Sequence, residues 1–339
     1  MKNGWKRFLA GAAALWLTVS AAFAEEAAEI ETEEIPMGSV TEKDGWHFDE
    51  KGFLTGENPG EEYLLEDAEN GKWEYSTADL SIRVTRYQEE KKIKAGKRIL
   101  EYCIAEVYAS ETSPLFTITT PATSKRPTGY NKLTPEKLVE NNPVVLAVSD
   151  DYYGHRMQTR ASGSASWPVG IIIRNGELLS EKTRNSQKKR YFPPLDTLAV
   201  YGDGSMKAYL CDELTAEQYV EQGATQVFAF GPWLIRDGEI NEKEAGPDST
   251  YHKYSYPRIA VGMIEPYHYI LIAVKGEPSN KYIGVRLDWL AAKMKELGCV
   301  EALNMDGGGT ASMIFNGKTI LQGKKAVRPL GSMIAFGKK

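Results

Sequence analysis

A carboxylate followed by three glycines is the feature of this sequence best suited to chemistry. The stretch reads Asn-Met-Asp-Gly-Gly-Gly-Thr at residues 304–310, where a short apolar strand runs into Asp306. Three consecutive glycines destabilise any regular element. They also let a backbone approach a ligand closely and present its N–H groups, as anion-binding nests do. Asp306 is therefore predicted to lie beside a cradle for an oxyanion or phosphate, the alternative being an ordinary Asp-Gly turn.

Short β-rich segments surround this stretch from about residue 62 onward. Runs of β-branched and aromatic residues predict strands at residues 80–85, 98–108, 144–148, 169–173, 198–201, 226–230, 259–264, 268–274, 302–305 and 312–315. Asn-Gly and Asp-Gly pairs, which favour hairpins and tight turns, stand between or beside them at residues 175–176, 203–204, 237–238 and 316–317.

Helical periodicity is clear in three segments, residues 134–140, 215–222 and 284–297. The last segment places its apolar residues on one face, namely Leu287, Leu290, Ala291, Met294 and Leu297. Thr134 supplies an N-cap before a proline, and Gly298 supplies a helix stop. We therefore predict an α+β fold with mixed β-sheets, a few covering helices and a single main domain at residues 62–339.

Composition excludes several classes of partner and site. The chain has 41 Lys and Arg against 46 Asp and Glu, and no basic patch points to nucleic acid. Cys103, Cys211 and Cys299 are too few and too far apart for a metal knuckle or a disulfide framework. At most one disulfide could form, and buried free thiols are the preferred interpretation. Four histidines make a histidine metal cluster improbable.

The N-terminus has the pattern of a secretory signal peptide at residues 1–24. Basic residues precede an apolar run at residues 8–19, and Ala-Phe-Ala then precedes Glu25, as a cleavage site requires. The run is too short to stay in a bilayer, so an uncleaved membrane anchor is the lesser alternative. We expect a secreted or extracytoplasmic protein of the cell envelope, with no stable transmembrane segment after cleavage.

Residues 25–61 are predicted to form an acidic spacer, because this stretch starts with a low-complexity acidic run that cannot bury enough apolar surface to order itself. Within it, Trp46, Phe48 and Phe53 resemble a single cell-wall-binding aromatic repeat. The alternative is an aromatic staple that packs this segment onto the following domain.

Further motifs accompany the Asp306 segment in a recognisable order. They include Asn-Gly-Lys-Trp-Glu-Tyr at 70–75, Asp-Tyr-Tyr-Gly at 151–154, Arg-Asn-Gly-Glu-Leu at 174–178, Phe-Gly-Pro at 230–232, Asp-Gly-Glu at 237–239, Pro-Arg at 257–258 and Ala-Val-Gly at 260–262. Together with the 304–313 segment they resemble the phosphodiester glycosidase family, in its bacterial exported type, over residues 62–336.

The resemblance implies cleavage of a bond between an anomeric carbon and a phosphate. Phosphate is a good leaving group, so such a site needs charge neutralisation more than a strong general acid. Asp306 would stabilise positive charge at the anomeric carbon, act as nucleophile or activate water, with Asp151 as the second carboxylate. Arg258 would supply a fork to phosphate oxygens, the alternative being a structural salt bridge.

The implied substrate-binding residues are Asn304, Gly307, Gly308, Gly309, Thr310, Tyr153, Ser149 and His155. We expect the glycine loop, Asp306, Arg258 and Tyr153 to converge on one pocket. No cofactor is required by the sequence. A divalent cation held by Asp306, Asp151 and backbone oxygens is compatible with hard-ligand chemistry, although the spacing does not demand it.

The chain departs from the family pattern at Ser149, Asp150, Ile259, Lys275 and Glu277. Asp150 and Asp151 are neighbours, so in a regular strand they would point to opposite faces and would not act as a pair. Glu277 stands where the family offers an arginine, and a carboxylate facing the pocket would weaken phosphate binding. The alternative is a solvated Lys275 and Glu277 pair of little consequence.

We therefore predict an exported hydrolase that cleaves a glycosyl phosphodiester, or a related glycosidic bond, in an extracellular or envelope glycan such as an exopolysaccharide. The alternative is a non-catalytic relative that binds glycan or cell wall and has lost part of the active site. A purely structural surface protein is disfavoured because Asp306 and its glycines are intact.

Overall fold

The computed structural model describes residues 41–56, 60–93, 96–124, 128, 131–140, 142–151, 170–182, 195–246, 254–277 and 281–337. The predicted signal peptide and the candidate site residues Tyr153 and His155 lie outside these ranges. Within the ranges, no helix has the length and apolar character needed to cross a membrane.

Strands dominate the described part of the chain. They are β1 (Thr41–Lys43), β2 (Trp46–Phe48), β3 (Tyr63–Asp67), β4 (Lys72–Ser76), β5 (Ser81–Ile93), β6 (Gly96–Tyr108), β7 (Phe116–Thr119), β8 (Val144–Ser149), β9 (Gly170–Arg174), β10 (Glu177–Lys182), β11 (Asp196–Tyr201), β12 (Met206–Tyr209), β13 (Ala224–Phe230), β14 (Trp233–Arg236), β15 (Glu239–Ile240), β16 (Arg258–Glu265), β17 (His268–Val274), β18 (Tyr282–Ile283), β19 (Glu301–Met305), β20 (Ser312–Phe315), β21 (Lys318–Gln322) and β22 (Ser332–Gly337).

Four helices accompany these strands in the described ranges: α1 (Pro135–Val139), α2 (Ala216–Glu221), α3 (Glu242–Ala245) and α4 (Leu287–Glu296). Helices α1, α2 and α4 lie in the three segments predicted from periodicity. Helix α3 was missed because a single turn is too short to show a period. The fold is α+β in the sense that both elements occur, but it is predominantly β.

Three large sheets and the β1-β2 hairpin contain all of the described strands. The ten-stranded sheet has the order β15-β14-β19-β16-β17-β6-β5-β4-β3, with β18 pairing in parallel with β6. The two five-stranded sheets have the orders β21-β20-β8-β22-β7 and β10-β9-β13-β11-β12. Every other pairing between described strands is antiparallel, so the predicted mixed character is limited to the β18-β6 pair.

One hydrophobic core joins the three sheets. Val148 of β8, Phe228 of β13 and Leu303 of β19 belong to the same buried cluster, although each lies in a different sheet. Fully burying side chains of this kind stabilises by about 1.5–3 kcal/mol each. The shared core therefore holds these strands in fixed relation, and the opposite face of the ten-stranded sheet is covered by the apolar side of α4.

The aromatic segment before residue 62 packs onto the sheet that follows it. The Phe48 and Trp46 rings lie edge-on to Tyr63, with centroid distances of 5.2 and 6.1 Å. The backbone N–H of Leu54 donates to the Thr77 carbonyl at 2.8 Å. This is the contact that the staple alternative describes. The boundary at residue 62 stays a prediction.

Cys103 and Cys299 are buried, and no disulfide joins the three cysteines. Burial raises the pKa of both thiols to about 12. Since the thiolate is the reactive form, these two residues serve as small apolar side chains of the core.

Candidate active site

Three strands from the three sheets end side by side. Strand β8 ends at Ser149, β13 at Phe230 and β19 at Met305, and their following residues are joined by hydrogen bonds. The Asp306 N–H donates to the Asp150 carbonyl at 3.0 Å, and the Gly231 N–H donates to the Asn304 carbonyl at 3.1 Å. We call this region, residues 149–151, 229–231 and 304–310, the three-sheet corner.

Asp306 is buried at this corner, with 4% of its surface exposed. Thr310 folds back over the glycine loop so that its Oγ1 donates to Asp306 Oδ2 at 2.7 Å. The structure thus brings Asp306 and Thr310 together at this corner, and their catalytic and substrate-binding roles stay predictions. A carboxylate fixed in a low-dielectric setting interacts more strongly with a developing positive charge than one in water.

Gly307 is needed for close packing, and Gly308 for its backbone conformation. A Cβ at Gly307 would stand 2.2 Å from the Pro257 carbonyl oxygen, and Gly308 has a φ of +67° with open space where its side chain would be. The Gly308 N–H donates to that same Pro257 carbonyl at 3.0 Å. This corrects the expected anion cradle at Gly308, because its N–H is used inside the fold.

Asn304 is completely buried and ties β19 to the turn after β13. Its Nδ2 donates to the Gly231 carbonyl at 2.7 Å. Its Oδ1 has no hydrogen-bond partner among the residues that the structure describes. An unpaired buried acceptor lowers stability. The Nδ2 of Asn304 is explained by its bond to the turn after β13, whereas its Oδ1 has no such structural role there.

A buried arginine that the sequence analysis did not assign to the site lies beneath the corner. Arg174, the last residue of β9, reaches two carboxylates with its Nη2: Asp151 Oδ1 at 2.5 Å and Asp150 Oδ2 at 3.3 Å. Its guanidinium also stacks on Phe228, 4.4 Å from the ring centroid. The available signal was a cation at the end of an apolar strand, within the Arg-Asn-Gly-Glu-Leu segment that the sequence analysis used as a turn and as a family motif.

Asp150 and Asp151 contact the same guanidinium, contrary to the expectation that they would point to opposite faces. The alternation of side chains applies inside a strand, but β8 ends at Ser149, so Asp150 and Asp151 lie beyond it and face one guanidinium. Asp151 Oδ2 also accepts the Ala229 N–H at 2.6 Å. Asp150 accepts the Ser332 hydroxyl as well.

Ser149 points into the protein. Its Oγ accepts the Ser312 N–H at 3.2 Å, and the residue is buried. This hydrogen bond links β8 to β20 at the base of the corner. Substrate contact by Ser149 stays a prediction, and the observed contact gives the residue a positioning role.

Arg258 brings its backbone to the corner, and its guanidinium contacts two backbone carbonyls. Ile259 pairs with Met305, so the next position along places Arg258 beside Asp306. The guanidinium is buried, where its Nε and Nη2 each lie 3.4 Å from a carbonyl oxygen, those of Val285 and Tyr254. Burial lowers the pKa of Arg258 to about 10. No carboxylate among the described residues forms an ion pair with it.

The other departures from the family pattern have partners within the fold. Lys275 Nζ pairs with Glu101 Oε1 at 2.8 Å and lies 3.9 Å from the Tyr282 ring centroid. Glu277 accepts the Lys325 N–H at 2.9 Å. Ile259 is buried in the main core. Lys275 is therefore bound to Glu101, not to Glu277.

No set of three or more His, Cys, Asp or Glu side chains in the described ranges is arranged to hold a metal ion. Within those ranges, Asp306 and Asp151 have hydrogen-bond partners from the protein itself. The suggested divalent cation stays a prediction.

The three-sheet corner lies within a region that matches a known protein family. The family model described as phosphodiester glycosidase matches residues 142–337, which contain β8, β13 and β19. The chain is 29% identical over 152 residues to the SPbeta prophage-derived uncharacterized protein YomE of Bacillus subtilis (strain 168). That match covers 45% of this chain and only 22% of the relative's length.

Among solved structures, the chain is similar to the zebrafish N-acetylglucosamine-1-phosphodiester alpha-N-acetylglucosaminidase catalytic domain, auto-inhibited by its pro-peptide. The TM-score is 0.57 with 18% sequence identity, covering 76% of this chain and 84% of that one. At this identity the likeness establishes a shared fold alone.

Proposed function

Because this chain belongs to the phosphodiester glycosidase family, we propose that it is an exported hydrolase that cleaves a glycosyl phosphodiester in an extracellular or envelope glycan. The observation that carries the proposal is Asp306, a carboxylate buried at the end of β19 and held by Thr310. Beside it, Gly308 borders open space, where a substrate can approach the carboxylate closely.

Asp306 is the residue we assign to the anomeric carbon. Glycoside cleavage passes through a transition state with positive charge at that carbon, and a preorganised carboxylate stabilises such charge without reorganising at the moment of reaction. Thr310 keeps the carboxylate in one orientation. Phosphate leaves readily, so the proposed reaction does not need a strong acid on the opposite side.

Asp151 supports the proposal as a positioning residue. Its two oxygens are engaged by Arg174 and by the Ala229 N–H, so it is less available to transfer a proton than a carboxylate facing a cleft. The same cluster holds Asp150, whose carbonyl accepts the Asp306 N–H. We infer that the Arg174 cluster fixes the position of the Asp306 backbone, because it holds Asp150, whose carbonyl accepts that N–H.

The rival function is a glycan binder without catalysis. It is favoured by one observation: the Ser149 hydroxyl and the Asp151 carboxylate, both predicted to face substrate, are engaged inside the fold. A binder would hold envelope glycans or cell wall at the same corner and release no product.

The deciding experiment compares wild type with Asp306→Asn on aryl-linked and nucleotide-linked glycosyl phosphates and on isolated envelope polymers. Released sugar and phosphate products are quantified, and binding of the same polymers is measured in parallel. Product release by wild type that Asp306→Asn abolishes supports the hydrolase. Unchanged polymer binding by both proteins with no product from either supports the binder.

A further inference from the structure

The connection between β21 and β22 crosses the glycine loop. The Gly323 N–H donates to the Ala311 carbonyl at 2.7 Å, and the Arg328 N–H donates to the Gly309 carbonyl at 2.8 Å. Gly323 itself approaches the loop so closely that a Cβ there would lie 2.6 Å from the Gly308 carbonyl oxygen. We call residues 323–329 the basic strap.

Three cations lie on the strap: Lys324, Lys325 and Arg328. Lys325 and Arg328 are exposed. No carboxylate in the described ranges forms a salt bridge with any of the three, whereas Lys275 and Arg174 have such partners. The Arg328 Nε lies 3.9 Å from the position that a Cβ on Gly309 would occupy, so its side chain runs along the loop that follows Asp306.

Arg328 is accessible to an anion from solvent, whereas Arg258 is not. Arg258 is buried and directed at two backbone carbonyls, while Arg328 reaches solvent beside Gly309. A guanidinium offers a rigid fork of N–H donors that matches phosphate oxygens. Lysines near the same place raise the local concentration of an anionic ligand.

Resting on the proposed function, we propose that Arg328 binds the phosphate of the substrate, with Lys324 and Lys325 adding positive charge. The strap then makes the site selective for an anionic glycosyl phosphodiester over a neutral glycoside. This revises the expectation drawn from Glu277. Its carboxylate accepts the Lys325 N–H of the strap at 2.9 Å, and the three strap cations outnumber that one negative charge.

The first test is equilibrium binding of inorganic phosphate and of a nucleotide-linked glycosyl phosphate to the full chain carrying Asp306→Asn, which keeps the ligand intact. Arg328→Gln added to this protein should weaken binding of the nucleotide-linked ligand about tenfold to hundredfold, the range of one charge-assisted hydrogen bond. Arg328→Lys should lose less. Lys92→Gln, at an exposed cation of the β5-β6 hairpin, is the matched control and should bind as the parent does.

The second test is turnover by otherwise unmodified protein on a phosphodiester and on a neutral aryl glycoside of the same sugar. Arg328→Gln should raise KM for the phosphodiester and leave KM for the neutral glycoside near the wild-type value, and high salt should reduce the difference. Thermal melting confirms that each variant is folded.

The outcomes separate the two proposals. Equal phosphate-ligand binding by Arg328→Gln and Lys92→Gln, or no binding by the parent, overturns the role of the strap. Binding that depends on Arg328 without product release from any substrate supports the strap and overturns the hydrolase. Turnover of a phosphodiester with an unchanged KM in Arg328→Gln supports the hydrolase and overturns the strap.

Discussion

Two arginine–carboxylate clusters in this molecule use the same chemistry in opposite settings. Arg236 grips Glu213 with two parallel hydrogen bonds of 2.8 and 2.7 Å, and both side chains are partly exposed. Arg174 binds Asp150 and Asp151 where none of the three has more than 3% of its side chain exposed. Arg236 also lies 3.8 Å from Asp237, and Asp237 pairs with a second cation, Lys207. The buried cluster instead carries two carboxylates on one arginine.

The difference in burial indicates that the charges of the Arg174 cluster are retained for a reason other than stability. An exposed pair contributes about 0–1 kcal/mol, while moving ions into the interior costs several kcal/mol per ion before any attraction is counted. A cluster that buries three charges lies under the three-sheet corner, and the Asp150 carbonyl there holds the Asp306 backbone. We interpret the Arg174 cluster as the support of the proposed catalytic carboxylate.

The largest expected effect separates chemistry from stability at the corner. Asp306→Asn keeps the size of the side chain and an acceptor for Thr310, but it removes the charge. We expect kcat/KM on a glycosyl phosphodiester to fall by about 10³-fold or more, with a change in unfolding free energy of under about 1 kcal/mol. Steady-state kinetics and urea titration measure the two quantities. Equal activity would make Asp306 a turn residue only.

The next effect is on stability and compares the two arginines directly. Arg174→Met leaves two buried carboxylates without their cation, so we expect a loss of about 3–5 kcal/mol. Arg236→Met removes the exposed partner of Glu213 and should lose under about 1 kcal/mol. Chemical denaturation of both variants provides the measurement. Similar losses in the two proteins would show that burial does not distinguish the clusters.

A smaller effect tests whether the buried charges are coupled. Asp150→Asn removes one of the two carboxylates and keeps an acceptor for Ser332. In the Arg174→Met background it should recover at least about 1 kcal/mol of stability, because contacting residues give coupling energies of that order. The four proteins of the cycle are compared by denaturation. Strictly additive changes would mean that Asp150 and Arg174 act independently.

Much of the strand pattern was predictable because it is local. Runs of Val and Ile predicted β8, β9 and β16 at nearly their observed positions, with an Asn-Gly turn directly after β9. The apolar face of α4 was visible from its helical period. The place of Asp306 directly after a strand was also predictable, since an apolar run leads into it and three glycines follow it.

The partners of these elements were not predictable, because they depend on contacts distant in sequence. Asp150 and Asp151 both contact Arg174 because β8 ends at Ser149. Neither Gly nor Pro directly follows Ser149 to predict that the strand ends there. Arg258 and Arg328 both follow or precede proline in loop-like sequence. Only the packing reveals that one guanidinium is buried against carbonyls and the other lies exposed beside Gly309.

The smallest expected effect concerns the pH dependence of the surface pair. The hydrogen bonds from Arg236 lower the pKa of Glu213 below its ordinary value of 4.5. A carboxyl group whose pKa is lower in the folded protein binds fewer protons there than in the unfolded chain, so it stabilises the fold above the unfolded pKa. That contribution is lost as pH falls through the folded pKa.

Glu213→Gln should therefore differ from wild type by under about 1 kcal/mol near pH 7, and the difference should shrink below about pH 4.5 and in high salt. Urea titrations across this range measure it, and a difference that grows on acidification would contradict the assignment of this pair as an ordinary exposed ion pair.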